Sequence, residues 1–278
     1  MLRSVLTQNV PAGMITRKNN KDILNIDTGV LQAFLKTREY KHGVRSMEAL
    51  VNMSLLTGKS RFERSSLPSE AQLDLHVNGL EFLALVQSIV LEGEVLEKLA
   101  EASHDVYCEG MRAQNYVYGP TRSDEEGKKT HPLLVKYQDL LEYYKQSNRS
   151  SVWDIPNKLA LIGYIMIPAR SNEPPIDFPG DDLERLAEME HDRYMLDAIA
   201  HGWYYEKGKK KEFPVDPTLL PWGAMTDEEA ARRYPLAVTK AIGRTELASA
   251  EKEKDRKLVR DIPKILARVG YAVIKLSK

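Results

Sequence analysis

The sequence predicts a mainly α protein. Apolar residues recur at three- and four-residue spacing in several stretches, glycine and proline stand where those stretches start and stop, and one helical pattern occurs twice. With 278 residues, the chain is long enough for one large domain or two ordinary ones, and it can bury a core without disulfides or metals. Hydrophobic residues make up 42% and charged residues 29%, a globular composition, and no apolar run is long enough to cross a bilayer. No membrane role is expected. Forty basic residues balance forty acidic ones, which argues against generic nucleic-acid or anionic-lipid binding; any anion site must be local. The first residues lack the basic start and apolar stretch of a secretory signal, so a cytoplasmic setting is expected. Cys108 is the one cysteine, beside an apolar helix face, and reads as structural.

Residues 1–90 read as an N-terminal helical region, all α. Asp27 is placed to cap a helix with Val30, Leu31, Phe34 and Leu35 on one stripe, ending near Gly43. Ser46 is placed to cap a second, with Met47, Leu50, Val51 and Met53 inward, and Gly58 to Pro68 reads as a loop. Asn78 and Glu81 form a capping pair for a third helix containing Leu83, Val86, Ile89 and Val90, which Gly93 interrupts.

The repeat follows. Leu99-Ala100-Glu101-Ala102-Ser103-His104 recurs 87 residues later as Leu186-Ala187-Glu188-Met189-Glu190-His191, and at the same offset Tyr116-Val117-Tyr118 faces Trp203-Tyr204-Tyr205. His131-Pro132 through Tyr137 answers Asp216-Pro217 through Trp222, a proline-led extended segment carrying an aromatic. Asn148-Arg149, Asp154-Ile155-Pro156 and Gly163-Tyr164 then recur 107 residues later as Asp255-Arg256, Asp261-Ile262-Pro263 and Gly270-Tyr271. The second copy therefore holds about twenty extra residues between Trp222 and Glu253. Aspartate before Ile-Pro suits a helix start, and the glycine of Gly-Tyr a helix end. Each copy is expected to be two helices joined by a long aromatic loop with short extended segments. They span 91–169 and 183–278, separated by a linker over 170–182.

This set of motifs resembles the ryanodine-receptor (RyR) repeat over about two thirds of the chain. The second copy departs from the pattern in having Asp216 for histidine and Trp222 for tyrosine, which opens the question whether the two loops are equivalent. The resemblance implies two repeats paired about a pseudo-twofold into a mostly helical unit, as in calcium-release channels and in prokaryotic and phage proteins. It implies a sensing or binding role, with nucleotide-derived signals suggested for prokaryotic members. The residues it carries over are His104, Tyr116, Tyr118 and Arg149 in the first copy, and His191, Trp203, Tyr205 and Arg256 in the second. A further segment, Gly43-Val44-Arg45, resembles the helix start in the helical lid of AAA+ ATPases, although the ATPase core of that family is absent.

Gly58-Lys59-Ser60 imitates the end of a P-loop, but the first glycine would fall at Met53, so it reads as a surface turn. Glu101-x-x-His104 and Glu188-x-x-His191 are half of a di-iron carboxylate pattern whose other half is not found, so each histidine is expected to hydrogen-bond its own loop. Tyr116, Tyr118, Trp203, Tyr204, Tyr205 and Trp222 can stack an adenine ring, with Arg149 and Arg256 as phosphate partners. Their alternative is packing, with the arginines paired to Asp154 and Asp261. Lys207 to Lys211 is a basic turn, and Ser249 to Asp261 an exposed helix with spaced ion pairs. The reading these support is a non-enzymatic receptor or sequestering protein, without cofactor, for a small phosphorylated, nucleotide-derived ligand held between paired repeats. The alternatives are a protein-interaction module docking on a larger assembly or on a second copy, and a di-metal enzyme using the Glu-x-x-His helices.

Overall fold

The computed structural model describes residues 2–89, 91–170, 176–209, 211, 213–234 and 242–276. Val90 of the third expected helix, residues 171–175 of the linker, Lys210 of the basic turn and residues 235–241 of the insertion lie outside the described residues.

The N-terminal region is not all α. After α1 (Leu2–Asn9), strands β1 (Ile15–Lys18) and β2 (Lys21–Leu24) pair antiparallel, with Lys18 opposite Lys21. Asn19 and Asn20 join them at φ 52° and 57°, the left-handed turn that matches strand twist. Asp27 caps α2 (Thr28–Lys36) as expected, its Oδ1 accepting from the Gly29 and Val30 amides at 2.9 and 3.2 Å. That helix stops at Lys36, well short of Gly43. The Tyr40 hydroxyl donates to the Phe34 carbonyl and the Lys41 amide to His76, which turn the chain aside. Leu35, expected inward, is 63% exposed. Gly43, at φ 57°, opens α3 (Val44–Met53) with Arg45 exposed in its first turn. Ser46 is therefore inside the helix rather than its cap, and its hydroxyl accepts from the His42 amide at 3.0 Å. After α4 (Glu70–Leu73), Asn78 caps α5 (Gly79–Gln87) by accepting from the Glu81 amide at 3.0 Å. This helix ends before Ile89.

The second stretch begins with α6 (Gly93–Arg112), then β3 (Val117–Tyr118), β4 (Ser123–Glu125) and β5 (Lys128–His131), where β5 pairs parallel with β3 and antiparallel with β4. There follow α7 (Glu142–Trp153), α8 (Ile155–Leu161), β6 (Tyr164–Pro168), α9 (Gly180–Ala200), α10 (Asp227–Arg233), α11 (Ser249–Arg260), α12 (Ile262–Arg268) and β7 (Tyr271–Lys275). α9 starts 87 residues after α6, while α11, α12 and β7 start and end 107 residues after α7, α8 and β6. The expected pair of helices per half is corrected: three helices and a closing strand are common to both halves, with β3, β4 and β5 in addition in the first and α10 in the second. Asn148-Arg149 lies on α7, and Asp154 and Asp261 each end one helix immediately before the next. Gly163 and Gly270, at φ 74° and 81°, close α8 and α12 as expected.

The chain is mainly α and forms two compact units. The first comprises Met1–Val90, Pro156–Ile167 and Val273–Lys278. In its core Phe34 meets Phe82 edge-on at 5.4 Å, and Ala160 and Ile165 are buried with them while Ile274 and Leu276 pack alongside. The second unit is Leu91–Ile155 and Pro168–Ala272. Here α6 packs on α7 and α12, and α9 on α11. Glu109 of α6 joins Lys264 and Arg268 of α12 at 2.9 and 2.6 Å, which holds its carboxyl at about 2.

Candidate functional site

Both repeated histidines anchor their own loops. His104 is 3% exposed, and its Nε2 donates to the Val135 carbonyl at 2.9 Å; His191 is equally buried, and its Nε2 donates to Leu220 at 2.6 Å. A carbonyl only accepts, so the proton sits on Nε2 in both. The loops stay equivalent despite the His-to-Asp departure. His131 accepts from the Leu133 amide at 3.2 Å and meets the Tyr107 hydroxyl at 3.3 Å. Asp216 accepts from the Thr218 amide at 2.8 Å and from the Tyr194 hydroxyl at 2.5 Å. A carboxylate thus meets the equivalent amide and tyrosine, accepting from the tyrosine where the imidazole Nε2–H donates to it, at the cost of a buried charge that Lys211 neutralises at 2.7 Å. Burial alone would raise Asp216; Lys211, Thr218 and Tyr194 outweigh it and hold the group below its ordinary value.

Neither family arginine pairs with the neighbouring aspartate. Arg149 grips Glu97 through Nε and Nη2 at 2.7 and 2.8 Å and reaches Glu142 at 2.5 Å. Arg256 grips Glu184 at 2.5 and 3.1 Å and reaches Glu253 at 3.4 Å. These bidentate forks tie α7 to α6 and α11 to α9. Tyr137 joins the first by donating to Glu97 at 3.1 Å; its partly buried hydroxyl is pushed up to about 12, chiefly by desolvation. Trp222 stands at the second, 5.6 Å from Arg256, 5.4 Å from Lys252 and 5.9 Å from the His191 ring. His104, Tyr137, Glu97 and Arg149 therefore form one connected set, and His191, Trp222, Glu184 and Arg256 another. Both are packed rather than open.

The remaining aromatics scatter. Tyr118 is 60% exposed on β3, Trp203 meets Phe213 edge-on at 5.3 Å beneath Lys211, and Tyr205 packs with Met195 and Leu219 in a small core. Lys59 of the Gly-Lys-Ser turn donates to Ser65 and Ser66, which holds it in the first unit as a surface loop. Buried Cys108 lies near the Leu133 carbonyl, and desolvation pushes its thiol up. Glu101 accepts from Gln138 at 2.5 Å and Glu188 binds Arg233 at 2.6 Å. Among the described residues, no three histidine, cysteine or acidic side chains group as metal ligands.

Tyr116 lines an open cleft of about 380 Å³ within the second unit. One wall is Tyr107, Met111 and Tyr116; the other is Ala250, Lys257 and Leu258 of α11. Lys254, Arg260 and Arg122 add cations, and Glu253 the opposing charge. Tyr116 is fixed by its hydroxyl, which donates to Asp124 at 2.5 Å, and Arg122 binds the same carboxylate at 3.3 Å. Lys254 is paired with Glu251 and Arg260 with Glu253, but Lys257 has no ion pair among the described residues. The sequence predicts this helix as an exposed one with spaced ion pairs. Its signal was there in Lys254, Lys257 and Arg260, three cations at three-residue steps on one face; Arg122 gave none.

Residues 87–168 match the family model of the RyR domain. That segment is similar to the RyR domain, and it contains His104, Tyr116, Tyr118 and Arg149. The resemblance read from the first copy is borne out, and it points to a binding or interaction module. Among the described residues no helix is long and apolar enough to cross a membrane.

Proposed function

We propose that the chain is a non-enzymatic binding module in which a second RyR-type half, residues 183–278, partners the matched domain. Its cleft takes a small phosphorylated ligand of the nucleotide-derived class. One observation carries this reading: a wall of tyrosines and methionine faces a helix that presents Lys257, which has no ion pair among the described residues. An aromatic wall suits a base, and a cation not already neutralised suits a phosphate. Arg149 and Arg256 support the walls of this module instead of reading phosphate, since each is bound to a glutamate. The Glu-x-x-His pairs are likewise engaged within their own halves.

The test is thermal unfolding of the whole chain against a panel of nucleotides and nucleotide-derived signals. A ligand at a hundredfold excess over its Kd stabilises the folded state by about 2.7 kcal/mol. Tyr116→Ala, at a partly buried side chain, should remove that shift while the unliganded chain still unfolds in one cooperative transition. A flat panel, with a midpoint that rises with protein concentration, would favour self-association or docking on a protein partner instead.

A further inference from the structure

Gly110 sits in the last turn of α6, between the cleft residues Tyr107 and Gln114. Its backbone is helical and its φ is not left-handed, so the chain path does not require a glycine there. Inside a helix glycine is less favourable than alanine. The place of the missing side chain is taken by Lys257, which reaches across from α11. A Cβ on Gly110 would lie 2.6 Å from Lys257 Nζ and 3.2 Å from its Cε. The Gly110 carbonyl is already occupied by Gln114, whose Nε2 donates to it at 3.0 Å. The ammonium therefore rests against the C-terminal turn of α6, where the backbone dipole favours a cation, and it has no ion pair among the described residues. It is held in place while staying exposed in the cleft. The other cations of the cleft are committed: Lys254 to Glu251, Arg260 to Glu253 and Arg122 to Asp124. By the standard that assigns Arg149 and Arg256 to the walls, these three do not read phosphate.

We infer that Gly110 is the seat of the cleft's anion contact, Lys257, and that the ligand is a nucleoside carrying one phosphate. The base lies on the wall of Tyr107, Met111 and Tyr116, and the phosphate meets the seated ammonium. This rests on the binding reading proposed above. One available cation matches one phosphate; a second phosphate would meet only side chains that already hold carboxylates. Gly110 is a positioning residue that acts through Lys257. A methyl group there would meet the far end of a flexible side chain, so Lys257 swings away and the fold stays intact.

Calorimetric titration of the full chain with the common ribonucleoside monophosphates, their diphosphates and the parent nucleosides tests this. For the base that fits, the monophosphate is expected to bind at least tenfold more tightly than its nucleoside, and the diphosphate no more than threefold more tightly than the monophosphate. Gly110→Ala should bring the monophosphate down to the affinity of the nucleoside and leave the nucleoside as it was, with an unfolding midpoint unchanged or higher. Lys257→Met should do the same, and the double variant should bind no more weakly than either single one. A monophosphate no tighter than its nucleoside, a diphosphate beyond the threefold limit, undiminished monophosphate binding by Gly110→Ala, or losses that add in the double variant would overturn the inference while leaving the chain a nucleotide binder. A thermal shift from the wider panel with none of these probes bound would do the same. No heat and no shift with any compound would remove the binding reading and the inference together.

Discussion

His191 and its counterpart His104 show how a single substitution changes a buried group. The Nε2 contacts are the same, but the first residue of the Asx-Arg pair is Asn148 in one half and Asp255 in the other. In the second half His191 Nδ1 lies 3.1 Å from the Asp255 carboxylate. Burial alone would lower the imidazole; the bonds to Asp255 and to the Leu220 carbonyl outweigh it and hold its pKa above the ordinary value. A raised folded pKa stabilises fully below the unfolded value of about 6.5 and is lost as pH rises through the folded value. Urea unfolding should therefore show stability falling as pH rises above 6.5, and Asp255→Asn, which copies the first half, should flatten that slope. An unchanged slope would separate the titration from this pair. Asp216 works in the opposite sense: with a depressed pKa, its contribution is present above about 3.9 and lost as pH falls through the folded value. Lys211→Met leaves that carboxylate buried without its cation. A loss of about 1–2 kcal/mol is expected, below the usual value for a broken buried pair because Lys211 is half exposed. The chemical equivalence of His131 and Asp216 was not legible in the sequence, because it depends on which amide each accepts from.

At the scale of elements, what was legible is what local chemistry decides. α6 and α9 carry a repeated apolar stripe, α2 and α5 begin at side-chain caps, and α8 and α12 end at glycines. α7 was missed because its face is polar and its stability comes from Arg149 gripping Glu97, 52 residues away. Arg149→Ala should cost about 1 kcal/mol in chemical unfolding, since Glu97 is partly exposed. The β1–β2 hairpin was missed although Asn19-Asn20 is a turn signal, because its strands are mostly exposed and show no apolar alternation. The two closing glycines make a matched test. Both hold left-handed φ, but a Cβ on Gly163 would also meet the Leu80 side chain at 2.7 Å, whereas Gly270 faces open space. Gly270→Ala should cost about 1 kcal/mol and Gly163→Ala clearly more. Equal losses would mean that Leu80 moves aside freely.

Over the whole molecule, the sequence motifs and the compact units divide the chain differently. The matched segment, residues 87–168, has Leu91–Ile155 in the second unit and Pro156–Ile167 in the first. Ala160 and Ile165 bury themselves against residues such as Phe34 and Phe82, which that segment lacks. Expressed alone, 87–168 should show helical circular dichroism without a cooperative thermal transition, and a sharp transition would show that the segment supplies its own core. The open cleft was half legible for a related reason. Tyr116 stood in a motif, but its partners Lys254 and Lys257 lie more than a hundred residues further along, and proximity of that kind is decided only when the helices pack.

The three-piece makeup of the first unit bears on its birth at the ribosome. About a hundred residues separate Ile167 from Val273, and Ile274 of β7 and the following Leu276 pack onto the core while the Leu276 amide closes on the Gly163 carbonyl at 2.9 Å. At translation speeds of roughly 5–20 residues per second, the nascent N-terminal helices wait about 5–20 s for that strand. Throughout that interval the flank of their core that Ile274 and Leu276 will cover is bare, which makes this the stage at which a chaperone has something apolar to hold.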